Sequence, residues 1–120
     1  MKLAAQIAAA LVAALQVYFM VLEMFLWTRP FGRRTFGLTA EFAAASKSLA
    51  ANQGLYNGIL AAGLIWGAVA ADPVGFQVKV FFLAAVAIAG LYGAATVNRR
   101  ILLVQTVPAL LALGAVIAAG

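Results

Sequence analysis

Glu23 is an acidic side chain inside a long apolar run, LAAQIAAALVAALQVYFMVLEMFLW, which extends from Leu3 to Trp27. A carboxyl in such surroundings can act as an acid, a base or a hydrogen-bond anchor, and an ionisable group inside an apolar span is a functional hypothesis by default. Helical periodicity puts Gln16, Met20 and Trp27 on its face. A second polar group lies in ANQGLYNGILAAGLIWG, 51–67, with Asn52, Gln53, Tyr56 and Asn57. Gln53 shares a face with Asn57, and Asn52 shares a neighbouring one with Tyr56. In lipid each of these groups needs a partner. The chemistry this set could perform is capture or conversion of a small lipophilic molecule. Glu23 is the candidate catalytic residue. Gln16, Trp27, Asn52, Gln53, Tyr56, Asn57 and Tyr92 are the candidate ligand-binding residues. The competing structural reading makes the amides interhelical glue worth roughly 0.6 kcal/mol each, and makes Tyr18, Trp27 and Trp66 interfacial anchors.

Composition decides the setting. The 120 residues are 67% hydrophobic and only 9% charged, with a mean hydropathy of +1.08. A soluble domain is about half apolar and a quarter charged, so the chain reads as an integral membrane protein. It contains neither cysteine nor histidine. Disulfides, thiolate chemistry and any His- or Cys-ligated metal or haem are thereby excluded; any other cofactor is unknown. The net charge is +5, but the basic residues flank apolar runs. They read as a topology signal, with no nucleic-acid partner.

Four apolar runs succeed one another, each able to span as a helix of roughly 20 residues. The first is too long in its apolar part for a cleaved leader, and Glu23 and Trp27 stand where small residues would be needed. The pattern predicts an all-α membrane protein, a four-transmembrane-helix bundle forming a single domain over 1–120, with helices at about 3–27, 40–71, 74–97 and 101–119. TRPFGRRTFGLT, 28–39, reads as a basic, turn-rich loop 1, with Thr39 as N-cap for the second helix and Glu41 favourable in its first turn. That helix is expected to start near Ala40 and project beyond the membrane. Asp72-Pro73 is a start signal, with Asp as cap and Pro at the first helical position. Asn98-Arg99-Arg100 is a minimal turn, and Pro108 is expected to kink the last helix.

Arg29, Arg33, Arg34, Lys47, Arg99 and Arg100 fall on one side, against Lys2 and Lys79 on the other. This predicts a cytoplasmic loop 1, both termini outside, and a multi-pass protein of the cell's inner (plasma) membrane. In that orientation Glu23, Asn52, Gln53, Asn57, Tyr92, Thr96, Gln105 and Thr106 all approach the cytoplasmic leaflet, as a polar site open to that side. Arg29, Arg33 and Arg34 are candidates for an anion or a lipid head group at its mouth, beside their plain role as topology signal. Gly54, Gly58 and Ala62, Gly63 and Gly67, Ala85, Ala89 and Gly93, and Gly114 and Ala118 form small-residue stripes that let helices approach. The expected partners are the bilayer, further copies of the chain in a homo-oligomer, and a small lipophilic ligand. Whether the chain is an enzyme stays open. The alternatives are a small proton-coupled transporter using Glu23, as in the small multidrug exporters of similar length, and a structural subunit without ligand.

At EMFLW, 23–27, the loop RPFGRRTFGL after it, and LAANQGLYNGILAAGLIWG, the chain resembles a family of small bacterial and fungal membrane proteins grouped only as a domain of unknown function. The resemblance covers the whole chain. It implies the fold class and no activity. In that family His is common where this sequence has Gln16, so a mechanism needing an imidazole there is not implied here. A weaker likeness is to the membrane-associated eicosanoid and glutathione metabolism proteins, four-helix trimers with a basic loop 1 and an Arg-x-x-Asn-x-x-Glu motif on helix 2. Asn52 could stand for the Asn, but Ser48 or Leu49 and Leu55 or Tyr56 occupy the charged positions. The likeness therefore extends to the architecture and not to glutathione binding.

Overall fold

The computed structural model describes residues 2–96, 100 and 102–120. The expected Asn98–Arg99 turn lies outside them. Every described element is helical: α1 (Lys2–Met24), α2 (Pro30–Phe36), α3 (Ala40–Val69), α4 (Val74–Thr96), a π-helical turn (Leu102–Thr106) and α5 (Val107–Ala119). Among the described residues two helices, Lys2–Met24 and Val74–Ala95, are long and apolar enough to cross a membrane, each with a mean hydropathy of 2.0. The apolar stretch Leu103–Ala119 is shorter. Helix α3 has length to spare: its 30 residues reach about 45 Å at 1.5 Å per residue. Asn52, Gln53 and Asn57 lower its mean hydropathy. It starts at Ala40 as expected, because the Phe42 amide donates to Thr39 Oγ1 at 3.1 Å.

Several boundaries differ from the expected ones. The first helix ends at Met24, short of Trp27. Leu26 N–H closes back on the Val21 carbonyl at 3.2 Å, and Arg29 is extended (φ −81°, ψ 157°), as a residue before proline prefers. Loop 1 is not irregular throughout. Pro30 opens α2, and Gly37, left-handed at φ 67°, ends it. Such Pro-start and Gly-stop signals suit a helix of two turns. Helix α4 begins at Val74, one residue after Pro73, with Asp72 Oδ1 accepting the Phe76 amide at 3.1 Å. Pro108 lies in the first turn of α5, directly after the π-helical turn Leu102–Thr106.

The chain falls into two compact units, Gln16–Ile59 and Met1–Leu15 with Leu60–Gly120. Helices α1 and α3 run through both. In the larger unit the core joins residues of α1, α3, α4 and α5: Ala5, Val12, Ala13, Leu64, Leu83, Val86, Ala87, Ala109, Ala112 and Val116. Much of the interior is alanine, while Leu3, Leu11, Phe81, Ile88, Leu103 and Leu111 lie exposed. Close approach is the consequence. Gly63 meets the Phe82 ring, and at Gly90 a Cβ would stand 2.9 Å from the Thr106 amide nitrogen and 3.2 Å from its Cβ. Thr106 Oγ1 donates to the Ala87 carbonyl at 3.1 Å, and Gln105 Nε2 to that of Val86 at 3.4 Å. The expected α5 pair does not take part: Gly114 and Ala118 are exposed, and Ala109 and Ala112 are buried in their place.

Gly90→Ala is therefore expected to lose about 1–3 kcal/mol through overpacking against backbone. Gly114→Ala, whose Cβ meets nothing within 4 Å, should leave stability unchanged or slightly raised. Thermal melts of the two variants in one detergent, followed by circular dichroism, check the contrast.

Candidate functional site

In the smaller unit α3 lays a stripe of small residues against α1. A Cβ at Gly54 would lie 2.6 Å from Met24 Cγ and 3.1 Å from Glu23 Cβ, and one at Gly58 would lie 2.7 Å from Met20 Sδ. Between these glycines, on the same stripe, comes Asn57. It is only 5% exposed, and its Nδ2 donates to Glu23 Oε1. The approach of the two helices thus brings the acid and one amide together. Glu23 Oε2 accepts nothing from the described residues and is free for another donor.

Gln16 lies two turns before Glu23 on α1, about 10 Å along the axis. Its side chain is fully buried, at 0% exposure, and neither amide atom meets a partner among the described residues. A buried polar group left unpaired costs about 1–3 kcal/mol, so this amide calls for a water or a ligand group.

The other candidates are placed differently. Asn52, Gln53 and Tyr56 are exposed on α3, turned away from the stripe that carries Asn57. Tyr92, on α4 in the larger unit, is 72% exposed. Trp27 acts as a clasp: Nε1 donates to Ser46 Oγ at 3.0 Å, Ser46 donates on to the Phe42 carbonyl at 2.7 Å, and the indole meets the Phe36 ring with centroids 4.9 Å apart. It ties α2 to α3. Gly32 permits this fold-back, since a Cβ there would collide with the Leu26 carbonyl. Arg33 and Arg34 line a shallow depression with Pro30, Gly37 and Leu38, and the buried Nε of Arg33 has no partner among the described residues. Arg29 is exposed outside it. No group of three or more acidic residues able to hold a metal occurs among the described residues.

Sequence reasoning missed Ser46, whose small hydroxyl among alanines gives little signal, and the turning of Gln53 away from Asn57.

A family model described as "Protein of unknown function (DUF1304)" matches residues 10–117. The chain belongs to the DUF1304 family. A curated relative, the uncharacterized protein YpaA of Lactococcus lactis subsp. lactis (strain IL1403), is 34% identical over 105 residues, which cover 86% of this chain and 87% of the relative. No solved structure matches. The part shared with the DUF1304 model takes in Gln16, Glu23, Trp27 and Asn57, and the family description carries no activity.

The Glu23–Asn57 contact makes a direct prediction. Glu23→Gln keeps an acceptor for Asn57 and should change stability by less than about 1 kcal/mol. Glu23→Leu strands the buried amide and should lose about 1–3 kcal/mol. Adding Asn57→Leu to Glu23→Leu should recover part of that loss, read as melting temperatures across the double-mutant cycle.

Proposed function

We propose that this DUF1304 protein is a multi-pass protein of the cell's inner membrane that binds or converts a small lipophilic molecule at the Glu23–Asn57 pair. The observation that carries the reading is the buried amide of Gln16, without a partner among the described residues, on the helix face that also presents the second oxygen of Glu23. A ligand with a hydrogen-bonding head and an apolar body meets both needs. Its head is held by the Glu23 carboxyl, a second polar group about 10 Å further along α1 reaches the Gln16 amide, and the apolar part between them lies against Met20.

The membrane setting is supported by the distribution of side-chain size. Most of the large apolar residues are exposed and most of the buried apolar residues are alanines, an arrangement that suits lipid, where small residues make the helix interfaces. In the proposed topology four spans form a bundle, α2 lies at the cytoplasmic surface, and both termini are outside. Arg29, Arg33 and Arg34 then face anionic head groups. Asn52, Gln53 and Tyr56, exposed on α3, need partners in lipid, and a second copy of the chain in a homo-oligomer supplies them.

Native mass spectrometry of the detergent-purified wild type and Glu23→Gln tests the site. The expected result is a co-purifying small molecule on the wild type that is lost from Glu23→Gln, on a species heavier than one chain. A bare protein in both preparations overturns the ligand reading. If proton-coupled flux into vesicles instead disappears with Glu23→Gln, the transporter takes its place. The topology has its own check, because the chain contains no cysteine. A single cysteine at Arg34 should react with an impermeant thiol reagent only from the cytoplasmic side, and one at Lys2 only from outside.

A further inference from the structure

The larger unit holds a second polar centre, unrelated to Glu23. Where α1 and α4 begin and α3 and α5 end, a cavity of about 230 Å3 is lined by Lys2, Gln6, Asp72, Phe76, Lys79 and Val116, among others. Lys79 is the unusual member. It lies in the second turn of α4, within a stretch apolar enough to cross a membrane, and is only 7% exposed. Gly67 admits it: a Cβ there would stand 2.7 Å from Lys79 Cγ and 2.9 Å from its backbone nitrogen.

Among the described residues the ammonium has one hydrogen-bond partner, and that partner is neutral. Lys79 Nζ donates to Gln6 Oε1 at 2.6 Å, and Gln6 Nε2 donates to the Ala68 carbonyl at 2.6 Å. The amide cannot be reversed, since an ammonium only donates and a carbonyl only accepts. Asp72, the carboxylate on the cavity wall, is engaged elsewhere. Oδ1 takes the Phe76 amide, and Oδ2 faces Lys2 Nζ at 3.6 Å. An ammonium has three donors, so two remain to Lys79. A charge this buried is costly unless it is paired. The cavity beside it carries a second cation, Lys2, at its exposed rim, and apolar walls from Phe76 and Val116.

We propose that this cavity is an anion site, in which Lys79, oriented by Gln6, takes the carboxylate or phosphate group of a small organic anion or a lipid head group. The apolar walls favour an anion on a short hydrocarbon stem. Lys2 contributes attraction at the entrance, and Asp72 keeps Lys2 there.

The test uses the full chain in a non-ionic detergent. Calorimetric titration with butyrate and with inorganic phosphate, and native mass spectrometry with a short-chain phosphatidylglycerol, should give saturable binding of at least one probe. Lys79→Gln should weaken it at least tenfold, and Lys2→Gln two- to threefold. Binding of butyrate or phosphate identifies a free solute as the source; binding of phosphatidylglycerol alone identifies the head group. Saturable binding of none of the three, or equal affinity in wild type and Lys79→Gln, overturns the proposal. The unmutated protein gives a second reading that does not depend on folding of the variant. Its lysines are Lys2, Lys47 and Lys79, and in a lysine-labelled sample the bound anion should shift the side-chain NMR signals of Lys79 and Lys2 while leaving Lys47 unmoved. A shift at none of them, or an equal shift at all three, counts against the site.

Discussion

Helix–helix contacts in this chain are made largely through alanine and glycine, and that limit on side-chain size governs the rest. The buried stripe of α3 runs Ala50, Gly54, Asn57, Ala61 and Leu64. The buried stripe of α1 includes Ala5, Ala9, Val12, Ala13 and Gln16. Within each unit, backbones packed over such residues approach closely, and attraction comes from dispersion along the contact. Few large side chains enter, Leu22, Leu64 and Leu83 among them, and most of the others cover the outside. A polar side chain caught in the seam must find its partner there. Asn57 meets an acid within reach; Gln16, two turns away, meets nothing among the described residues.

The two polar centres solve the same problem in opposite ways. At Glu23 a carboxyl is approached by one neutral amide. At Lys79 an ammonium is approached by one neutral amide. Neither charge-bearing group has an opposite charge against it among the described residues, and each retains unused hydrogen-bonding capacity. Gln105 and Thr106 differ from both. They donate to the carbonyls of Val86 and Ala87, which joins α4 to the π turn.

Much of this was legible in the sequence wherever the deciding interaction is local. The Thr39 cap, the Asp72 cap, the start of α3 and the family resemblance all rest on short motifs. The end of α1 and the presence of α2 are harder to read although their signals, Pro30 and Gly37, are local too, because a run of arginines and turn formers resembles an exposed loop. What stayed hidden depends on contacts distant in sequence. Gln53 and Asn57 differ by only about 40° around α3, and only packing against Met20 and Met24 decides which of them is buried. The Trp27–Ser46 bond and the isolation of Lys79 have the same origin, since neither has a spacing rule.

The π-helical turn at Leu102–Thr106 sets the angular phase of α5. A turn that holds one residue more than usual rotates every later side chain by about 100° relative to an uninterrupted helix. With that rotation, Ala109, Ala112 and Val116 point inward and Leu110, Leu111 and Ile117 outward. Without it the larger side chains would swing toward a seam sized for alanine. The wide turn thus works as a register adjuster: it reconciles the angular position in which the last helix starts with the one in which it has to pack.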